Sequence, residues 1–188
     1  IYQLYNIFMT GLPIMYYCLF DFEFAKDEFL KYPLYYRIGM KNACFSYPIF
    51  LQWLSYALVI GFSVYYNVSM ILLDSTKLNN WIKVELWASG NLCYGGSIIA
   101  ANLTLLYKFS SIDGWNVITI MCGILAFFIA SYVENDSLKV IPSLFHVFNN
   151  LFSEGIAWLS LIFITGLITV LELAHRAGKS LIYKGDDL

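Results

Sequence analysis

Apolar residues run through this chain in five long blocks separated by short polar stretches, and the length of the blocks carries the first inference. An α-helix rises about 1.5 Å per residue and the hydrocarbon core of a bilayer is about 30 Å thick, so about twenty apolar residues suffice to cross it. Blocks from Ile1 to Phe20, Ile49 to Leu73, Leu86 to Tyr107, Trp115 to Val133 and Gly155 to Ala174 reach that length or nearly so. The pattern predicts an all-α polytopic membrane bundle with five transmembrane helices. Between them lie Asp21 to Pro48, Asp74 to Glu85, Lys108 to Gly114 and Glu134 to Glu154, and a tail runs from His175 to Leu188. The first block is uncharged and apolar from Ile1 onward, without the basic leader of a signal peptide. Such a start is expected of a fragment of a longer chain.

Composition agrees with the block pattern. With 60% hydrophobic, 19% aromatic and only 13% charged residues, too little polar surface exists to cover a soluble domain of 188 residues. Charge sets the orientation, because cytoplasmic loops of membrane proteins carry the excess of Lys and Arg. Lys26, Lys31, Arg37 and Lys41 share one side with Lys108 and with Arg176, Lys179 and Lys184 of the tail; Lys77, Lys83 and Lys139 occupy the other. The first loop and the C-terminus are therefore expected in the cytoplasm, with Ile1 near the outer or lumenal face.

Ionisable residues inside a membrane are costly and mark ion or proton pathways. The first four blocks contain none, and Glu172 and His175 fall at the inner end of the fifth. This excludes a proton relay or a multi-carboxylate cation site. What the first block offers instead is an uncharged stripe: Gln3, Asn6, Thr10 and Pro13 follow a three, four, three spacing that places them on one face of an α-helix. Pro13 has no amide hydrogen, so the carbonyl of Met9 loses its helical partner and is free for a side chain, water or ligand. Two readings stay open at this point. Asn6 and Thr10 either hydrogen-bond a neighbouring helix or stand in for water around a polar group passing along the helix.

Several other features have plainer readings. Gly96, Ala100 and Thr104, at every fourth position, read as a close-packing seam. Leu138 to Phe152 is apolar but too short to cross, and Pro142 and the Asn149–Asn150 pair fit a helix at the outer interface. His146 has no second ligand at helical spacing, so no metal site is expected. Cys18, Cys44, Cys93 and Cys122 show no zinc or disulfide spacing and read as buried, inert thiols. Of three glycosylation sequons, those at Asn67 and Asn102 fall inside helices, which leaves Asn135 as the candidate acceptor.

Two stretches then carry a family resemblance. LYNIFMTGLP, Leu4 to Pro13, followed eight residues later by Asp21, resembles the sixth transmembrane segment of type IV P-type ATPases, the phospholipid flippases. KYPLYYRIGMKNACF is similar to the cytoplasmic loop that follows it, with Lys31, Tyr32, Pro33, Tyr36, Gly39, Lys41, Asn42 and Phe45 matching position by position. The remaining four blocks and the tail correspond to segments seven to ten, so the resemblance covers essentially the whole chain. Gly11 where Ser is usual, Cys18 where Gly is usual, Phe22-Glu23-Phe24 and Met40 mark a divergent member.

The resemblance implies an ATP-driven transporter moving phospholipid from the outer to the cytoplasmic leaflet. Its phosphorylated Asp, its ATP and its Mg²⁺ would belong to cytoplasmic domains outside this chain, which has no D-K-T-G, T-G-E or G-D-G-x-N-D motif. It favours the transport reading of Gln3, Asn6, Thr10 and Pro13. It also implies a two-span glycosylated accessory subunit at Asp74 to Glu85, at Glu134 to Glu154 and along the last span, where exposed Trp81 and Phe152 would suit a contact. Nucleic acid is not an expected partner. Divergence leaves open a flippase-like regulatory module fused to a guanylyl cyclase, as in alveolate protists. A non-catalytic structural membrane protein is a third alternative.

Overall fold

The computed structural model of the chain describes residues 4–22, 26–32, 34, 40, 45–75, 86–134 and 147–185. A π-helical turn, Tyr5–Met9, leads into α1 (Gly11–Phe20), and a short α2 (Lys26–Lys31) follows. Next come α3 (Tyr47–Ser75), α4 (Leu86–Lys108) and α5 (Gly114–Tyr132), then a short α6 (Val147–Ser153) and the long α7 (Gly155–Gly185). No strand occurs among the described residues. In hydrocarbon every backbone N–H and C=O must be satisfied within the protein, which is why apolar blocks rich in Ile, Val, Tyr and Phe are helical here despite the β-propensity of those residues.

Among the described residues, three helices are long and apolar enough to cross a membrane: Tyr47–Ile71 within α3, Gly114–Tyr132, and Gly155–Gly178 within α7. α4 is long enough, but Ser89, Asn91, Ser97, Asn102 and Thr104 lower its apolar character. Its location accounts for that composition. α4 packs against α1, α3, α5, α6 and α7, and so presents most of its surface to protein.

Two core layers meet on α4. On one side Val64 and Val68 of α3, Leu92, Ile99 and Ala100 of α4, and Leu161, Ile164 and Ile168 of α7 form one cluster. On the other, Met9, Ile98 and Phe127 form a second. The small-residue seam makes these approaches possible. A Cβ on Gly96 would lie 2.9 Å from Ile164 Cδ1 and 3.0 Å from Val64 Cγ1, and one on Gly95 would lie 2.8 Å from the Phe127 ring. Ala100, on the same stripe, is buried.

The sequon at Asn67 is buried, where its Oδ1 accepts a 2.7 Å hydrogen bond from Ser160 Oγ and links α3 to α7. Asn102 is buried too. The cysteines differ from the sequence expectation. Cys93 is half-buried, but Cys18 and Cys122 lie exposed on the bundle surface and not in the core. Cys44 lies outside the described residues.

At the end of the bundle where α5 finishes and α7 begins, α6 seats Phe148 and Leu151 against the core. Phe152 is half-buried there and differs from the exposed contact expected of it. Its ring meets Phe148 at 4.6 Å, Phe128 at 5.4 Å and Trp158 at 5.3 Å between centroids. Trp158 Nε1 donates to the Phe152 carbonyl at 2.9 Å. Trp81, Pro142 and His146 lie outside the described residues.

Candidate functional site

The first helix does not keep one α-helical register. Thr10 N donates to the Tyr5 carbonyl at 3.0 Å and Thr10 Oγ1 donates to the same oxygen at 2.9 Å, an i→i+5 closure that makes Tyr5–Met9 a π-turn. The consequence is visible in exposure: Asn6 is exposed, whereas Met9, Thr10 and Pro13 are buried. The three, four, three spacing assumed a continuous α-helix, and the π-turn separates Asn6 from the face that Thr10 and Pro13 share. Gln3 lies outside the described residues.

The carbonyl that Pro13 leaves without a helical donor has a partner from another helix. Asn102 Nδ2 on α4 donates to Met9 O at 3.1 Å and to Ile98 O of its own helix at 2.9 Å. Two carbonyl acceptors fix the amide orientation, since only the nitrogen end can donate to both. Asn102 Oδ1 is then buried without a hydrogen-bond partner among the described residues. α5 closes the site from the other side: a Cβ on Gly123 would lie 2.4 Å from Met9 O. Tyr94 Oη donates to Met9 Sδ at 3.5 Å, and the Tyr94 ring lies 5.9 Å from that of Tyr5. Met9 is thus gripped by α4 and α5, and a cavity of about 500 Å³ opens beside it, lined by Thr10, Ile14, Tyr17, Asn102, Trp53 and Lys108.

Asp21, the acidic residue eight positions past Pro13, has a structural role at the end of α1. Its Oδ1 accepts from the backbone N–H of Ser110 at 3.1 Å and of Ser111 at 3.3 Å. Asn116 Nδ2 donates to Ser111 O at 2.7 Å, so the α4–α5 connection is held from both flanks.

A second polar site, which spacing alone did not reveal, lies at the same end of the bundle. Glu172 of α7 is fully buried. Its Oε1 pairs with Lys108 Nζ of α4 at 2.7 Å, and its Oε2 accepts from Tyr56 Oη of α3 at 2.6 Å. Arg176 Nε lies 3.8 Å from Oε1, and its guanidinium sits 5.7 Å from the Tyr107 ring centroid. Lys108 Nζ lies 4.9 Å over the Trp53 ring, and the Tyr56 ring lies 5.3 Å from His175. Glu172 and His175 lie at the end of the last apolar block in the sequence. Sequence alone could not pair them with Tyr56 and Lys108, which lie more than sixty residues away.

Of the motif loop, Lys31, Tyr32 and Phe45 are exposed, whereas Pro33, Tyr36, Gly39, Lys41 and Asn42 lie outside the described residues, as does Asn135. Among the described residues no group of three or more His, Cys, Asp or Glu could hold a metal ion. A groove of about 1100 Å³ between α3 and α7 is lined by Phe62, Tyr66, Met70, Ile162, Phe163 and their neighbours, and is almost wholly apolar.

A bundle whose central helix carries amides and hydroxyls, whose periphery is apolar and whose buried Glu172 carboxylate is neutralised at an end is an integral membrane protein with no charged path through its described centre. The comparisons define it further. Residues 1–185 match the family described as phospholipid-translocating P-type ATPase C-terminal, and the chain belongs to that family. Mouse phospholipid-transporting ATPase IH is 27% identical over 171 residues, covering 89% of this chain and 14% of that protein. Human phospholipid-transporting ATPase IH is 24% identical over 162 residues, covering 85% of this chain and 14% of its own length. Guanylate cyclase alpha of Plasmodium falciparum (isolate 3D7) is 23% identical over 146 residues, covering 74% of this chain and 4% of that protein. The chain therefore spans a small part of each of these relatives.

Proposed function

We propose that this chain forms the frame and part of the lipid path of an ATP-driven phospholipid flippase, which moves lipid from the outer or lumenal leaflet to the cytoplasmic one. The match of residues 1–185 to the family's C-terminal membrane region carries this reading. An exposed, uncharged Asn6 in the π-turn of the first helix supports it, because an amide can replace water around a polar headgroup without demanding a counter-ion. In this reading the helices starting near residues 1, 49, 86, 115 and 155 make five crossings. The C-terminus is cytoplasmic, as the distribution of Lys and Arg supports. ATP and Mg²⁺ act in cytoplasmic domains outside residues 1–188. A two-span accessory subunit contacts residues 74–85, residues 134–154 and α7.

The test uses the full-length protein in lipid nanodiscs and in proteoliposomes. Phospholipid-stimulated ATPase and ATP-dependent inward movement of a fluorescent phospholipid are expected, and Asn6→Leu is expected to change the headgroup preference. An ATPase indifferent to every phospholipid offered overturns the proposal. The similarity to guanylate cyclase alpha supports a second reading, a flippase-like regulatory module in a cyclase. GTP-dependent cyclic GMP formation by the full-length protein, without lipid movement, would favour it.

A further inference from the structure

The π-turn in the first helix has two identifiable causes, and both bear on where Asn6 points. The first is Gly11. A Cβ on residue 11 would lie 2.5 Å from the Asn6 carbonyl oxygen and 3.4 Å from its carbon, closer to backbone than a side chain tolerates. Only glycine lets the Asn6 carbonyl sit there. Any larger residue must push that carbonyl away, and the alternative for the chain is the α-helical register, in which the Asn6 carbonyl would accept from Thr10 N. The hydroxyl of Thr10 adds to the π-turn by donating to Tyr5 O at 2.9 Å.

The second cause lies below the turn. Asn102 holds Met9 O at 3.1 Å, and Gly123 allows α5 within a van der Waals contact of the same oxygen. Met9 is therefore anchored to the bundle, so a change in the turn moves what precedes it. A π-turn adds about one residue to a helical turn, and one residue of an α-helix is a rotation of about 100°. In a continuous α-helix Asn6 would follow Thr10 and Pro13, which are 6% exposed and buried respectively, into the bundle. In the π-turned register Asn6 is exposed.

We propose that Gly11 and Asn102 are positioning residues for Asn6: together they hold the first helix in the register that turns this amide out of the bundle and toward the lipid headgroup. The inference rests on the flippase reading for the word headgroup, and on the structure alone for the register. It gives Gly11 a specific task, since glycine inside a helix is ordinarily less favourable than alanine. Here the alanine carries a backbone clash.

The test is made in the full-length protein with Cys18, Cys44, Cys93, Cys122 and every cysteine outside residues 1–188 replaced. A single cysteine is introduced by Asn6→Cys and labelled with a small maleimide, with Gly11 retained or changed by Gly11→Ala. The register reading expects labelling with Gly11 and, in the alanine variant, its loss to the level seen with Thr10→Cys. In parallel, Gly11→Ala with Asn6 intact is expected to raise the KM for phospholipid more than it lowers kcat and to alter the order of headgroup preference. If Gly11→Ala does not accumulate in the membrane, Asn102→Leu, which removes the donor to Met9 O, is expected to cause the same loss of labelling. Equal labelling of the cysteine introduced at position 6 in all three backgrounds overturns the inference. Absence of phospholipid-stimulated ATPase in the unsubstituted protein overturns the flippase reading, and with it the link to a headgroup, whatever the labelling shows.

Discussion

Lys108→Met isolates the energetics of the buried charge cluster. Glu172 is fully buried, and its carboxylate is met by Lys108 at 2.7 Å, Tyr56 at 2.6 Å and, more distantly, Arg176 at 3.8 Å. With an effective dielectric constant of about 20, charges at the Lys108 distance attract by about 6 kcal/mol. Desolvation costs several kcal/mol for each ion, so the intact pair contributes little net stability. Removal of one partner is different. The carboxylate keeps its desolvation cost and loses its main compensation, and the expected destabilisation is about 3–5 kcal/mol. The cost sits toward the lower end because Arg176 is 3.8 Å away and can move closer. Lys108→Met with Glu172→Gln removes both charges and leaves an amide that can still accept from Tyr56, so most of the loss should be recovered. The assay is heat inactivation of ligand-free full-length protein in nanodiscs, run on both singles and the double to close a double-mutant cycle. Additive losses, with the double variant the least stable, would refute the reasoning.

Other expected outcomes concern packing and loop anchoring. Gly123→Ala puts a methyl group 2.4 Å from Met9 O and should cost about 1–3 kcal/mol in the same heat assay, whereas Gly90→Ala, with no atom within 4 Å of its Cβ, should be neutral or slightly stabilising. Asp21→Ala strips the acceptor from the Ser110 and Ser111 amides, costing about 1.5–3 kcal/mol, and should speed proteolysis of the α4–α5 connection. Asn67→Ala should leave the electrophoretic mobility of the glycosidase-treated and untreated protein unchanged relative to each other. It should lower stability by about 1–3 kcal/mol, because Ser160 Oγ loses its partner in a buried site.

Sequence pattern was informative where a single property decides the outcome. The membrane-length helices in α3, α5 and α7 overlap three of the apolar blocks, because crossing hydrocarbon imposes a length and an apolar composition on any helix, although α7 runs on to Gly185, past Ala174. Pro13 announced an unsatisfied carbonyl at Met9, since the missing amide is a covalent fact. The residue that answers it, Asn102, could not be chosen, because Asn67, Asn91 and Asn116 are equally polar and likewise lie within apolar blocks. Only the packing of α4 against the first helix selects one. The stripe expected to hold Asn6, Thr10 and Pro13 is interrupted between Asn6 and Thr10 for a related reason. Periodicity assumes a regular backbone, and the π-turn depends on a contact between residue 11 and the Asn6 carbonyl that no count of apolar residues registers. Lys108 illustrates the same limit from the opposite side. As a loop cation it contributed to orientation, yet its ammonium reaches back to a carboxylate sixty-four positions later.

The least apolar of the long helices is also the one that organises the rest, and the two facts have one cause. A helix facing lipid must be apolar around most of its surface, whereas a helix enclosed by five others can carry amides, hydroxyls and glycines wherever a neighbour can use them. α4 uses each kind. Gly95 and Gly96 admit Phe127, Val64 and Ile164; Asn102 holds the carbonyl released by Pro13; Lys108 neutralises Glu172. These interactions join α4 to several different helices, so α4 couples the first helix, which carries Asn6, to α7, which carries the buried carboxylate. A displacement of the first helix cannot therefore leave Asn102 in place without breaking its bond to Met9. A displacement of Asn102 must move with it the helix on which Lys108 sits. In a transporter that alternates between states, the first helix and the Lys108–Glu172 pair would be expected to move together or to part at one of these two contacts.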